Sequence, residues 1–232
     1  MMVQKMQDSK IIIALDYSEK KTVYELCDKI DPEICKLKVG KQLFTKYGPS
    51  IVRDLQSNGF DIFLDLKFHD IPSTVYKATI EALELGVWML NVHTLGGLKM
   101  MEAAVKARDE VNKKSLLIGV TILTSLGNDA LKDIGLSDRN SLVKKLSLKA
   151  YESGLNGVVC SPDDIKLIDI KDKQFLYVTP GIRLKSDRHD HNKSFTPKEA
   201  SNLGSNYLVV GRAVTASKNP LSEVNNILKL LD

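Results

Sequence analysis

The sequence predicts a closed (β/α)8 barrel, one α/β domain over residues 1–232, and three observations predict it. Short, nearly continuous apolar runs recur eight times, each followed by a segment with helical spacing of its apolar residues. That alternation is the pattern of parallel strands covered on both faces, and eight units in this length are what a barrel requires. Polar residues also collect at the C-terminal ends of the runs, the mouth where such barrels carry their chemistry. A doubly wound open sheet is the alternative, but it rarely uses eight regular units, and the chain has no Gly-x-Gly-x-x-Gly fingerprint. There is no linker, low-complexity tract or shift in composition to mark a second domain.

The elements follow in order. Ile11–Leu15 is a first strand ending in Asp16, and Ser18 is placed to cap a helix running through Val23, Leu26 and Ile30. Cys35–Gly40 is the second strand, with a helix from about Lys41 to Ser57. The third strand starts near Asp61; Asp61, Phe63, Asp65 and Lys67 share one face at period two. Asp70 and Pro72 end it, and Pro72 opens a helix to Leu85. Val87–Val92 is the fourth strand, closed by His93-Thr-Leu-Gly96-Gly97 and a helix through Met101 and Val105. Leu116–Val120 is the fifth, with a long polar connection before a helix from Asn140 to Ser153. Gly157–Cys160 is the sixth, followed by a helix from Pro162; Phe175–Val178 is the seventh, ending in Pro180-Gly-Ile-Arg183. A short helix from Pro197, an eighth strand at Tyr207–Val210, Gly211-Arg212 and a last helix reaching Leu231 complete the chain.

Composition narrows the function. The chain is 43% hydrophobic and 27% charged with a net charge of +4, and its basic residues are interspersed with acidic ones. This suits a globular protein with a small anionic ligand and gives no clustered basic, aromatic-studded surface for nucleic acid. The three cysteines, Cys27, Cys35 and Cys160, form no Cys-x-x-Cys pair and read as buried free thiols in a reducing cytoplasm. The first ten residues are polar, which predicts no signal peptide, and no apolar run is long enough to span a membrane.

Strand-end residues are the candidates for chemistry: Asp16, Lys38, Asp65, Lys67, Asp70, Asn91, His93, Thr121, Thr124, Ser125, Arg183 and Arg212. Asp65-x-Lys67-x-x-Asp70 gathers two carboxylates and an ammonium where a buried strand meets a Pro-started helix. Burying such charges is costly unless they pair with one another or with a ligand. A structural ion pair is the plain reading of one Asp-x-Lys; the full triplet in this setting points to an active site. Arg183 and Gly211-Arg212 follow the seventh and eighth strands, where barrels frequently bind phosphate through backbone N–H groups and bidentate arginine. Lys36 shares the face of Lys38, and the pattern alone does not separate them. The polar loop Ser186–Ser194 suits a lid that orders on a bound phosphate. Within it His189-x-His191, with Asp187 and Asp190, is a minor metal-site candidate.

Together these stretches resemble the bacterial type of the orotidine 5′-phosphate decarboxylase family. The matching residues are Ala14-Leu-Asp16, Lys38-Val-Gly40, Asp65-Leu-Lys-Phe-His-Asp-Ile-Pro72 with Thr74, Asn91-Val-His93, Leu123-Thr-Ser125, Pro180-Gly-Ile-Arg183 and Gly211-Arg212. The resemblance implies decarboxylation of orotidine 5′-monophosphate to uridine 5′-monophosphate, without cofactor or metal, by a homodimer with shared active sites. By position, Lys67 would protonate C6 of the pyrimidine and Asp65 would lie near the departing carboxylate. Lys38 would complete the charge array, and Asp16 and Lys38 would contact the ribose hydroxyls. Asp70 would come from the other subunit, and Ile71, Pro72 and Thr74 beside it would belong to the substrate-binding set. Thr124 and Ser125 would lie near the base, and Arg183, Gly211 and Arg212 would hold the phosphate. The family commonly has a phosphate-contacting glutamine in the lid; His191 stands there, or Asn192 if the loop register differs. Histidine would make the grip pH-dependent.

The residue types suit that reaction. Loss of carbon dioxide leaves an electron pair at C6 that no adjacent carbonyl delocalises as a simple enolate. An ammonium beside C6 stabilises the pair and then supplies the proton. A related class of sugar-phosphate decarboxylases and aldolases works through magnesium enediolates and carries a glutamate where this chain has Lys38; a lysine repels the metal.

Overall fold

Hydrophobic alternation within each strand divides the core into two shells. In a computed structural model, residues 9–136, 138–184 and 194–231 are described. The strands β1 (Ile11–Ala14), β2 (Lys36–Gly40), β3 (Ile62–Phe68), β4 (Met89–His93), β5 (Leu116–Val120), β6 (Gly157–Val159), β7 (Leu176–Ile182) and β8 (Tyr207–Val210) are all parallel and close into one barrel, β8 pairing back onto β1. Ile11 and Ile13 face outward into the layer beneath the helices, while Ile12 and Ala14 face inward with Phe63, Met89, Ile118, Val178 and Val209. Inside and outside are therefore both apolar, and that is why the strands read as continuous hydrophobic runs.

The helices are α1 (Lys20–Cys27), α2 (Lys41–Tyr47), α3 (Pro49–Ser57), α4 (Pro72–Glu84), α5 (Leu98–Val111), α6 (Asn128–Asp133), α7 (Arg139–Glu152), α8 (Pro162–Ile165), α9 (Pro197–Asn202), α10 (Arg212–Thr215) and α11 (Pro220–Leu231). Several differ from expectation for local reasons. The helix predicted from Lys41 to Ser57 is broken at Gly48, whose φ of 59° and ψ of −154° suit only glycine, and Pro49 then starts α3 without an N–H to give. Ser18 does not cap α1: Glu19 is the N-cap residue, without a side-chain cap bond, and Ile30 packs from beyond the helix end. The connection after β5 is not purely polar. It holds α6, whose buried Leu131 joins Ile122, Val143 and Leu146 in a small apolar cluster; flanking Gly127 and Gly135 hid its period.

The seventh strand runs on to Ile182 rather than stopping at Val178. Its register slips between Thr179 and Ile182, where Pro180 and Gly181 (φ 79°) form an irregularity before pairing with β8 resumes. A proline and a glycine read as a stop, yet here they bend the strand so that Arg183 leaves it at the mouth.

The opposite mouth is closed by Lys36. Its Nζ lies 3.0 Å from Asp61 Oδ2 and 4.6 Å from the centre of the Trp88 ring, which meets Tyr207 edge to face. Lys36 and Asp61 thus belong to the barrel floor, which separates Lys36 from Lys38. Cys27, Cys35 and Cys160 are free and buried, and burial pushes the thiols of Cys27 and Cys35 up to about 12.

Candidate active site

Two residues above Lys36 on the same face, Lys38 enters the upper barrel. Its Nζ is 3.3 Å from Asp65 Oδ2 and 3.5 Å from Asp16 Oδ1, joining the ends of three successive strands. Gly40 makes room: a Cβ there would stand 3.3 Å from Lys38 Nζ, a tight approach that a side chain would worsen. The Lys38-Val-Gly40 spacing therefore has a steric reason as well as an electrostatic one.

The other oxygen of Asp65 faces Lys67, whose Nζ lies 2.5 Å from Oδ1. One carboxylate is thus shared by two ammonium groups. Desolvation of this buried carboxyl is the largest single influence and acts to raise its pKa. The charges of Lys38 and Lys67 and the hydrogen bonds from Lys67 and Asn91 outweigh it together, holding the carboxyl below the usual carboxylate range. Asp65 is anionic across the neutral range as a result.

Lys67 interrupts the regular pairing of β3, which resumes at Phe68. Its φ is 51°, the one positive value at a non-glycine among the described residues, and the β3–β4 register shifts between Leu64 and Phe68. The backbone departs from regular strand geometry at Lys67, yet Phe63, Asp65 and Lys67 line one cavity, as their period-two spacing predicts. Asn91, fully buried on β4, accepts a hydrogen bond from the Lys67 backbone N–H at 2.8 Å and donates through Nδ2 to Asp65 Oδ1 at 2.7 Å.

Two confluent cavities surround this cluster. One of about 190 Å³ is lined by Lys38, Asp65, Lys67 and Thr124, with apolar walls from Phe63, Val120, Ile122, Val159 and Val209. The other, about 720 Å³, shares Lys38 and Asp65 and extends past Asp16 to Arg183, Gly211 and Arg212. Arg183 is set by the Phe195 strand segment, through Arg183 N–H to Phe195 C=O at 2.9 Å. Gly211 is the N-cap of α10, and Arg212 its first residue. Ser125 lies in an adjoining cavity of about 530 Å³ that also reaches Thr124 and Arg183. The site is a small, apolar-walled chamber with fixed charges at one end, open to a wider channel with two arginines at the other.

Some expected residues stand apart. Asp70, Ile71, Pro72 and Thr74 are exposed on the outer side of Lys67; Asp70 accepts from the Ile71 N–H at 2.6 Å, and among the described residues no ion pair joins it to Lys67. Asp70 and Thr74 share a groove of about 220 Å³ with Lys67 instead. Thr121 is buried and donates to the Val159 carbonyl, so its hydroxyl is spent on the barrel. His93 stacks on His69, and burial, with His69, Lys67 and Lys41 adding to it, pushes its imidazole down to about 4. His191, Asn192 and the lid segment containing His189, Asp187 and Asp190 lie outside the described residues. Among those that are described, no group of three or more His, Cys, Asp or Glu is arranged to hold a metal ion.

Sequence reasoning placed Asn91 among the strand-end candidates and the family-like stretches but gave it no role, since nothing in a strand pattern says which backbone group an amide will meet. It missed Arg139, which grips buried Asp164 with both terminal nitrogens at 2.6 and 2.9 Å, ties the start of α7 to α8 and lines the same cavity as Thr124 and Ser125.

Comparison with known proteins adds an independent line. A family model described as orotidine 5′-phosphate decarboxylase / HUMPS family matches residues 9–227. A protein from Shewanella sediminis named orotidine 5′-phosphate decarboxylase is 46% identical over 226 residues, covering 96% of this chain and 97% of its own. One of the same name from Nitrosococcus oceani is 48% identical over 225 residues, with the same coverage of 96% and 97%. The crystal structure of orotidine 5′-phosphate decarboxylase from Lactobacillus acidophilus superposes with a TM-score of 0.87 at 35% identity, covering 97% of this chain and 100% of that one.

Proposed function

The chain belongs to the orotidine 5′-phosphate decarboxylase / HUMPS family, and on that premise we propose that it converts orotidine 5′-monophosphate to uridine 5′-monophosphate and carbon dioxide, closing de novo pyrimidine nucleotide synthesis. The observation that carries this reading is the Asp65 carboxylate shared by Lys38 and Lys67, at one end of a channel whose other end bears Arg183 and Arg212. A nucleotide fits that polarity: phosphate to the arginines, ribose hydroxyls to Asp16 and Lys38, base among the apolar walls near Thr124 and Ser125.

The C6–carboxylate bond breaks heterolytically, carbon dioxide departs, and the electron pair stays on C6. The Lys67 ammonium stabilises that pair and donates its proton to it; a proton from water then restores the ammonium. Asp65 keeps the two lysines in place and stands where the substrate carboxylate arrives, so like charges meet in the ground state and part as carbon dioxide leaves. Phosphate contacts remote from C6 supply binding energy for assembling this arrangement. The reading needs no cofactor. Lys38 supports it over magnesium–enediolate chemistry, because an ammonium between Asp16 and Asp65 occupies the place of a cation.

In this proposal a homodimer completes each site, Asp70 of one subunit approaching Lys67 of the other, with Ile71, Pro72 and Thr74 beside it. Support comes from the exposed apolar residues on the same outer side, Ile71 at 63%, Leu95 at 40% and Leu98 at 38% exposure. His191 or Asn192 reaches the phosphate from the lid. Three buried free thiols suit the reducing cytoplasm, and no helix among the described residues is long and apolar enough to cross a membrane.

An absorbance assay with orotidine 5′-monophosphate, with and without a chelator, tests the reading. Turnover indifferent to chelator is expected; no turnover, or turnover lost with the chelator, would overturn it.

A further inference from the structure

The fully buried Asn91 side chain makes two bonds in opposite directions. Its oxygen accepts from the Lys67 backbone N–H at 2.8 Å, at the point where the β3–β4 register is interrupted and Lys67 enters the left-handed region at φ 51°. Its nitrogen donates at 2.7 Å to Asp65 Oδ1, the same oxygen that the Lys67 ammonium faces at 2.5 Å. A lysine in that backbone conformation is strained and persists only where its surroundings dictate it. The one side-chain amide therefore fixes both ends of the reacting pair: the backbone from which the Lys67 side chain departs and the carboxylate at which it arrives.

We infer that Asn91 is a positioning residue that sets where the Lys67 ammonium stands relative to the reacting carbon. The inference rests on the proposed role of Lys67 and goes beyond it in assigning the aim of the proton donor to a residue that does not touch the proton. An alanine at 91 frees both contacts. An aspartate keeps the acceptor for the Lys67 N–H but turns the donor toward Asp65 into a second anion. The two substitutions therefore separate backbone support from carboxylate support. Four groups bear on Asp65: Lys38 from β2, Lys67 from β3, Asn91 from β4 and, through Lys38, Asp16.

Asn91→Ala and Asn91→Asp are to be compared with the unaltered protein in turnover of orotidine 5′-monophosphate, in affinity for uridine 5′-monophosphate and across pH. A misplacement of this kind costs about a hundredfold in kcat. The affinity for uridine 5′-monophosphate should change by less than about threefold, since the phosphate end is untouched. The acid limb of kcat should move to higher pH in both variants, further in Asn91→Asp, because Asp65 loses a donor in each and gains an anionic neighbour in the second. Unaltered protein without turnover would sink the proposed reaction itself. An active unaltered protein with variants of unchanged kcat and pH profile would sink only the role of Asn91. Failure of both variants to fold would overturn it too, by making Asn91 part of the scaffold.

Discussion

Lys38 reaches Asp65 across the β2–β3 pairing with Nζ 3.3 Å from Oδ2, each side chain only 11% exposed. Because Lys67 takes the other oxygen, Asp65 sits between two cations, and removing either leaves a buried carboxylate undercompensated. Lys38→Met should therefore raise the Asp65 pKa. The sign for stability follows from linkage. Asp65 is depressed in the folded protein, so its contribution is present above the unfolded value near ~3.9 and is lost as pH falls through the lower folded value. With Lys38 gone the loss begins at higher pH. Acid unfolding followed by circular dichroism should shift upward in pH, and the stability of the variant at neutral pH should fall by roughly 3 kcal/mol. An unmoved acid midpoint would show that Lys38 does not hold Asp65 ionised.

Lys67→Ala should abolish turnover and leave the fold. The side chain is partly exposed and ends a strand rather than filling the core, so its loss removes charge without opening a cavity. Loss of a positioned acid together with the electrostatic stabilisation of the C6 electron pair amounts to about four orders of magnitude or more. The check is a folded variant, by circular dichroism and gel filtration, assayed at high enzyme concentration. A near-normal rate in that variant excludes Lys67 as the proton donor.

Arg212→Ala should chiefly weaken nucleotide binding. Arg212 is exposed at the start of α10, lines the same cavity as Arg183, and takes no part in the ion pairs of the Asp65 cluster. A charge-assisted contact to phosphate is worth about 2 kcal/mol, hence about thirtyfold in Kd for uridine 5′-monophosphate. Calorimetry with uridine 5′-monophosphate and with uridine separates the phosphate term: the variant should bind the nucleoside as the unaltered protein does. Equal affinity for the nucleotide would take Arg212 out of the phosphate site.

Much of this was legible in the sequence because barrel strands leave two kinds of trace. Ile11-Ile-Ile-Ala14 and Leu116-Leu-Ile-Gly-Val120 are apolar on both faces, so the eight strands could be counted; their polar ends, from Asp16 to Arg212, marked one mouth. What was hidden depended on geometry between units. The pairing of Lys36 with Asp61 at the floor and of Lys38 with Asp65 above it follows from strand register, which periodicity does not supply. The backbone at Lys67 left regular strand pairing, where Asn91 on another strand offers its N–H a substitute partner, while its side chain still lines the cavity with Phe63 and Asp65. Likewise Pro180-Gly181 looked like an end and proved to be a bend, since pairing with β8 resumes at Ile182.

Arg139 and Asp164 give the last prediction. Arg139 opens α7 beyond α6 and lines the same cavity as Thr124 and Ser125, while Asp164 is 2% exposed in α8 and also accepts from the Ser161 N–H at 3.0 Å. The two-point contact at 2.6 and 2.9 Å uses the planar fork of arginine, which lysine does not reproduce. Arg139→Ala leaves Asp164 buried with a backbone donor but without its cation, a change of roughly 3–5 kcal/mol, or roughly 10 °C in Tm for a chain of this size. Arg139→Lys should fall between the two. Because Arg139 and Asp164 line the cavity that Thr124 and Ser125 also line, and the Arg139 N–H holds Asn128 at the end of that connection, the KM for orotidine 5′-monophosphate should rise in parallel with the loss of stability, whereas kcat, set by Lys67, should fall much less. Thermal unfolding and steady-state kinetics on the three proteins check both halves. Full stability in Arg139→Ala would mean the loop is held by the Leu131 cluster alone.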